Sequence, residues 1–293
     1  MSSLNIILSQ VASELMVWCS IVGIFKLRCT ARIHCHGQHL KNYLVSSMVA
    51  KLDDEVHGAR RAAIETLAEI ADRGDELIVA LVIARLKDQD CQVRIATMYA
   101  LSKIAVRGDE RTLASVTCQL DDHDARVRRA AVDALSKITE QGHQRIIAVI
   151  LSRLDDQGWY VRRAAVKALP QIIAKADERA ISALAARLED RDEDVRITAM
   201  RALTQFVDKG DKHATAAVTI RLKHNLWDVR AVAVRTLGQI AAAGDEHCIS
   251  AVATCLEDEC WQVRHAAVKA LAALADKGNA RALAAAATRL QDQ

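Results

Sequence analysis

Residues 86–120 read LKDQDCQVRIATMYALSKIAVRGDERTLASVTCQL, and the leucines at the two ends of this stretch set a register for the chain. Counting outward in steps of 34, leucine returns at Leu52, Leu86, Leu120, Leu154, Leu188, Leu222, Leu256 and Leu290 with no insertion. A fixed period of this length marks a repeat architecture, in which no unit buries its apolar face alone. Glycine keeps the period at Gly74, Gly108, Gly142, Gly210, Gly244 and Gly278, with Ala176 in the remaining slot. Asp75, Asp109, Asp177, Asp211, Asp245 and Asn279 follow it, His143 being the exception. The glycine reads as the left-handed C-cap of one helix and the next residue as the N-cap of another, so each repeat is expected to hold two helices. In the second repeat, helix A is predicted from Asp75 to Leu86 and helix B from Cys91 to Arg107. Seven such pairs follow Asn42, and an orphan helix A covers Asn279 to Leu290. The expected fold is all-α: a right-handed α-solenoid of about seven and a half 34-residue helix-turn-helix repeats over residues 41–293, after a divergent apolar segment, 1–40.

Composition narrows the function classes. Apolar residues are 51% of the 293, yet aromatic residues are 3% and there is one proline, too little bulk and too few turn formers for a β-sandwich or α/β enzyme core. Forty basic residues against 37 acidic leave a net charge of +3, which does not argue for nucleic acid by itself, so any charge argument is local. Eight cysteines without a CxxC pattern indicate neither a disulfide scaffold nor a zinc ribbon. Reduced thiols and a cytoplasmic location are expected.

Each repeat also carries an acidic residue followed six positions later by arginine, usually preceded by valine: Asp54/Arg60, Asp88/Arg94, Asp122/Arg128, Asp156/Arg162, Asp190/Arg196 and Asp258/Arg264, with His224/Arg230 the departure. Tetratricopeptide repeats share the period but need aromatic residues in every repeat, and two Phe and three Tyr cannot supply seven. The pattern, clearest in Trp159-Tyr160-Val161-Arg162-Arg163-Ala164-Ala165, resembles short HEAT-like repeats of the phycobilisome-lyase or E-Z type over residues 42–290. The resemblance implies that the Asp and Arg form a structural ladder between repeats and that the B helices line a concave binding face. It also brings alternatives. Phycobilin lyase subunits attach or isomerise a bilin, but no residue here specifies a bilin pocket. Deoxyhypusine hydroxylase uses His-Glu pairs, and no histidine of this chain precedes a glutamate. HEAT-like DNA glycosylases would use a basic groove, against which the charge balance argues.

Helix geometry locates the exposed row without the family. At 100° per residue, positions 7, 11, 14, 15 and 18 after the register leucine fall on one side (Val93, Thr97, Ala100, Leu101 and Ile104 in the second repeat). Position 13 lies opposite and reads Glu65, Tyr99, Asp133, Lys167, Arg201, Arg235 and Lys269, so the last four repeats present a cation. Positions 9 and 17 add Arg129, Arg163 and Lys137. The expected function is a non-catalytic scaffold binding an acidic peptide or protein surface through Tyr99, Arg129, Asp133, Lys137, Arg163, Lys167, Arg201, Arg235 and Lys269, without cofactor or metal. A merely solvated face is the bland alternative.

Other signals are read as structural. Trp159, Trp227 and Trp261 share position 5; stacking for single-stranded nucleic acid is one reading, and packing is the expectation. Arg73-Gly74-Asp75 and Arg107-Gly108-Asp109 look like adhesion tripeptides, yet capping already explains their Gly and Asp. Neither Cys29, His34, Cys35, His36 and His39 nor His247, Cys248, Cys255, Cys260 and His265 show zinc spacing. At the N-terminus, projecting the period backward puts Trp18 in the leucine slot and predicts a degenerate cap. The rival is a membrane segment over Leu4–Phe25, charged only at Glu14 and followed by Lys26, Arg28, Arg32 and Lys41, which would leave the repeats cytosolic. A central glutamate costs about 2.5 kcal/mol or more on insertion scales, which favours the cap. At the other end, the half-repeat is expected either to act as a terminal half-cap or to be the cut edge of a longer array, with end-to-end self-association as a consequence.

Overall fold

The computed structural model describes residues 37–174 and 177–275. The chain divides into two compact units, 1–44 and 45–293; the second carries the repeats. The described residues form fourteen α-helices and no strand. The A helices are α1 (Gly37–Lys51), α3 (Glu76–Ala84), α5 (Glu110–Thr117), α7 (Gln144–Ser152), α9 (Glu178–Ala186), α11 (Lys212–Thr219) and α13 (Glu246–Thr254). The B helices are α2 (His57–Ile70), α4 (Cys91–Ile104), α6 (Ala125–Ile138), α8 (Trp159–Ile172), α10 (Glu193–Phe206), α12 (Trp227–Ile240) and α14 (Trp261–Leu274). No described helix is long and apolar enough to cross a membrane. The N-terminal cap or membrane segment and the orphan helix A both lie outside the described residues.

The period becomes a fold through burial. The register leucines from Leu52 to Leu256 are all buried. Val93, Val127, Val161, Val195, Val229 and Val263, each one residue before a ladder arginine, are 0% exposed. Successive B helices pack closely in a row, most tightly α12 on α14, whereas successive A helices touch less. The 14-residue B helices thus form the longer continuous row of packed neighbours, and their outward sides make one face of the repeats. Gly238 shows how close this approach is: a Cβ there would come within 2.9 Å of the Ala270 Cα.

Two helix boundaries differ from expectation. Helix A leaves α geometry early, the register leucine lying in a 3-10 turn such as Arg85–Lys87. Helix B ends at Ile104 rather than Arg107, because Ala105 is already extended (φ −71°, ψ 147°). The period-keeping glycine is therefore not the C-cap of its own helix. Gly108 has φ +80°, and its amide donates to the Ile138 carbonyl of the next repeat at 2.8 Å. The same bond joins Gly74 to Ile104, Gly142 to Ile172, Gly210 to Ile240 and Gly244 to Leu274. Each of these B helices thus has a terminal carbonyl satisfied by the preceding repeat. Arg73 and Arg107 add a side-chain bond to the carbonyls of Ala105 and Lys137, while Asp75 and Asp109 cap α3 and α5. All three residues of both adhesion-like tripeptides have internal partners.

The ladder runs along the turns between A and B helices. Arg60 donates Nε and Nη2 to the two carboxylate oxygens of Asp88, both at 2.8 Å, and Nη1 to the carbonyls of Asp54 and Glu55 in its own turn. Arg94–Asp122, Arg128–Asp156, Arg162–Asp190 and Arg230–Asp258 repeat the bidentate bond. Arg264 holds its own turn through Asp258 O, and the position one rung ahead lies outside the described residues. Each receiving carboxylate also accepts an amide two residues on, as Asp88 does from Asp90 at 2.9 Å, so one side chain shapes a turn and joins two repeats. Burial pushes Asp190 up, but bonds from Arg162 and the Asp192 amide hold it below the usual carboxylate value. Asp88 and Asp156 behave alike.

A second ladder, not anticipated from sequence, runs backward. Arg85, Arg153 and Arg187, each just before a register leucine, donate to the preceding repeat at Leu52 O and Asp53, Leu120 O and Asp121, and Leu154 O and Asp155. Its signal was present as Arg at one slot and Asp two slots later in the preceding repeat, masked by Gln119 and Lys87.

One forward rung is broken. His224 occupies the carboxylate slot ahead of Arg196, and its Nδ1 accepts the Leu226 amide at 3.1 Å, keeping the turn without meeting the guanidinium. Arg196 turns Nη2 to Asp228 instead, leaving its Nε buried and unbonded. His224→Asp is expected to restore a bidentate rung and raise stability by about 1–3 kcal/mol. Thermal unfolding followed by circular dichroism checks this; an unchanged or lower midpoint contradicts it.

Candidate functional site: the B-helix face

Positions 5, 9, 13 and 17 are spaced i, i+4, i+8 and i+12, so they form one slowly drifting stripe on each B helix. Ring contacts trace it. The Arg163 guanidinium lies 5.3 Å from the Trp159 ring centroid, and His265 meets Trp261 edge-on at 6.4 Å. Position 9 forms the floor where it is apolar, with Ile95 and Ile197 half-buried and Ala231 buried. Position 13 stands clear: Tyr99, Lys167, Arg201, Arg235 and Lys269 are exposed and Asp133 half-exposed.

The stripe differs between its two halves. Across α4, α6 and α8 the structure brings Tyr99, Arg129, Asp133, Lys137 and Lys167 to the rim of one groove of about 590 Å³, over a floor that includes Ile95, Met98 and Ala134. Tyr99 is its centre, with the Lys103 and Lys137 ammonium groups 4.8 and 5.8 Å from its ring. Most cations here pair with a carboxylate, Arg61 with Glu65, Lys103 with Glu69, Arg129 with Asp133 and Arg163 with Asp194, while Lys137 lies over the Tyr99 ring. Hydrogen bonding to Glu69 raises the Lys103 pKa, so that lysine stays charged.

From α8 to α14 the arrangement changes. Lys167, Arg201, Arg235 and Lys269 meet no carboxylate at ion-pair distance among the described residues; Arg235 Nε bonds only the Ala231 carbonyl, at 3.2 Å. With helices 8–10 Å apart, four cations span about 25–30 Å. Neighbouring charges at about 10 Å repel by only ~0.4 kcal/mol in water before screening, so the fold tolerates the row.

The tryptophans correct an expectation. Trp159, Trp227 and Trp261 are 38%, 45% and 59% exposed, at the first residue of α8, α12 and α14, and do not pack in the core. They coincide with a missing cap. The residue before α4, α6 and α10 is Asp90, Asp124 or Asp192, whose side chain accepts helix amides, whereas Gly158, Leu226 and Cys260 supply no such bond. Position 5 of α10 is Glu193, which leaves a gap in the aromatic row.

The second metal-like set does not converge: no group of three His, Cys, Asp or Glu able to hold an ion occurs among the described residues. Its Cys248 is buried and its thiol is pushed up to about 12 by burial and by Asp245, which suits a core residue. The first set lies outside the residues whose side chains are described.

The family model for HEAT repeats matches residues 45–136, 79–170, 119–204, 147–225 and 214–293. No protein of curated function matches the sequence. Among solved structures, E. coli YibA is 19% identical and aligns over 90% of this chain and 99% of its own with a TM-score of 0.53. Importin beta is 16% identical over 87% of this chain and 39% of its own, at 0.65. Kap95p in complex with RanGDP is 15% identical over 80% of this chain and 35% of its own, at 0.63. Identities this low establish a shared fold.

Proposed function

Because the chain belongs to the HEAT-repeat family, we propose that it is a non-catalytic interaction scaffold that takes an acidic peptide or protein surface on its B-helix face. One observation supports this reading: Arg61, Lys103, Arg129 and Arg163 of the first half of the stripe each have an acidic partner, whereas Lys167, Arg201, Arg235 and Lys269 meet none among the described residues. A row of unneutralised charge on adjacent rigid repeats attracts an oppositely charged partner at little entropic cost. Kap95p, which shares the fold, binds RanGDP, an instance of a solenoid of this type engaging a protein. The free thiols Cys91, Cys118, Cys248, Cys255 and Cys260 support a reducing compartment such as the cytoplasm.

The test is anisotropy of a fluorescent, glutamate-rich 20-residue peptide, against wild type and a variant with all four cations changed to Glu. The expected result is salt-sensitive binding that weakens at least about tenfold in the variant. Equal binding to both proteins contradicts the reading.

A further inference from the structure

Resting on that reading, we propose that the acidic partner binds as an amphipathic α-helix laid across α8, α10, α12 and α14, with acidic residues in heptad spacing on one flank and large apolar residues on the other. The face offers two parallel rows. Trp159, Trp227 and Trp261 form one at position 5, exposed at the start of their helices, and the cations form the other at position 13. Eight residues of α-helix separate the rows, about 12 Å at 1.5 Å per residue, which is the diameter of an α-helix with its side chains. Along each row the step is one repeat, 8–10 Å. A bound helix returns to the same face every seven residues, about 10.5 Å, and so meets each successive cation with one heptad. An extended strand advances that far in three residues and alternates its side chains, so successive repeats would meet opposite faces of it.

The rows also fix orientation across the groove. Carboxylates turn to Lys167, Arg201, Arg235 and Lys269, and apolar side chains turn to the indoles. The buried Ala231 between Trp227 and Arg235 leaves room there for the bound backbone. Glu193 interrupts the aromatic row at α10, so the apolar anchors fall one heptad apart at Trp227 and Trp261 and two heptads apart between Trp159 and Trp227. A single-stranded nucleic acid could stack on the indoles and meet the cations too, which makes it the competing occupant that the test includes.

Four synthetic probes at equal concentration test this. Two are 28-residue peptides with the same composition, one with Glu every seventh residue and Leu on the adjoining flank, the other with those residues scrambled. The third is the glutamate-rich peptide used above, and the fourth is oligo-dT. The expected result is that the heptad peptide binds at least about tenfold tighter than the scrambled one and gains helicity on binding. It should lose at least about tenfold to the double variant Trp227→Ala and Trp261→Ala, and quench tryptophan fluorescence in wild type. Equal affinity for heptad and scrambled peptides, with both lost on four-cation reversal, overturns the helix and leaves the acidic-partner reading standing. No binding of any acidic peptide overturns both. Oligo-dT binding tighter than every peptide overturns both in favour of nucleic acid. The Trp positions are exposed, so the double variant is expected to fold, and its helical circular dichroism confirms that before binding is read.

Discussion

Arg162→Ala is expected to destabilise the protein by about 3–5 kcal/mol, the cost of breaking a buried ion pair by removing one partner. Arg162 is 3% exposed and Asp190 7%. The change removes two bonds to the carboxylate, at 2.8 and 2.7 Å, and two to the carbonyls of Asp156 and Gln157. It leaves Asp190 charged with the Asp192 amide as its main remaining donor. Arg162→Lys should recover little, since an ammonium cannot reproduce the two-pronged bond. Arg129→Ala makes the contrast. That arginine is exposed and bonds Asp133 one turn away, an interaction worth about 0.3–0.5 kcal/mol. Urea unfolding followed by circular dichroism compares the three. Because repeats are stabilised by their neighbours, loss of a central rung should also split the transition, with the flanking repeats unfolding separately. An Arg162→Ala variant within 0.5 kcal/mol of wild type would show that the ladder contributes nothing to stability.

Acid should dismantle the array over a narrow range. Asp88, Asp156, Asp190 and Asp258 are all held below the usual carboxylate value, the first three against opposing burial and Asp258 chiefly by Arg230. A carboxylate depressed in the folded state contributes stability that is fully present above its unfolded value, about 3.9, and lost as pH falls through the lower folded value. Stability is therefore expected to be flat above about pH 5 and to drop steeply below about pH 4. Each proton taken up on unfolding adds about 1.4 kcal/mol per pH unit to the slope, so four rungs titrating together would contribute at most about 5.5 kcal/mol per unit. Urea midpoints measured from pH 7 to pH 3 check this. A midpoint that falls evenly across that range, or does not fall, contradicts the ladder as the acid-sensitive element.

Much of this molecule is legible in its sequence because a repeat states each rule several times. The leucine register and the valine before each arginine predict buried positions, and both are buried. The forward partner of Arg60, Asp88 rather than its own Asp54, was implied by the family resemblance and not by spacing along one helix. The glycines depart from the C-cap expectation for a physical reason: a residue with positive φ can cap its own helix or aim its amide at another, and only the packed neighbour decides which. The tryptophans show the limit in reverse. Their periodic slot reads as packing, but the first turn of a helix lies at the rim of a repeat, where large side chains remain outside. Which cations lack an acidic partner was also not readable, since Arg163 finds Asp194 thirty-one residues away in the next repeat.

The inter-repeat bonds have fixed reach: forward 28 residues from arginine to aspartate, and backward 33 from arginine to carbonyl. Both hooks point along the chain in a set sense, so the solenoid has a head and a tail that are chemically unlike. Where both partners are present, cutting out or copying a block of 34 residues brings a hook to an equivalent eye, whereas a block of any other length leaves guanidinium groups facing the wrong turn. The array can therefore lengthen or shorten by whole bricks wherever the slots match, with the bonds across the seam kept.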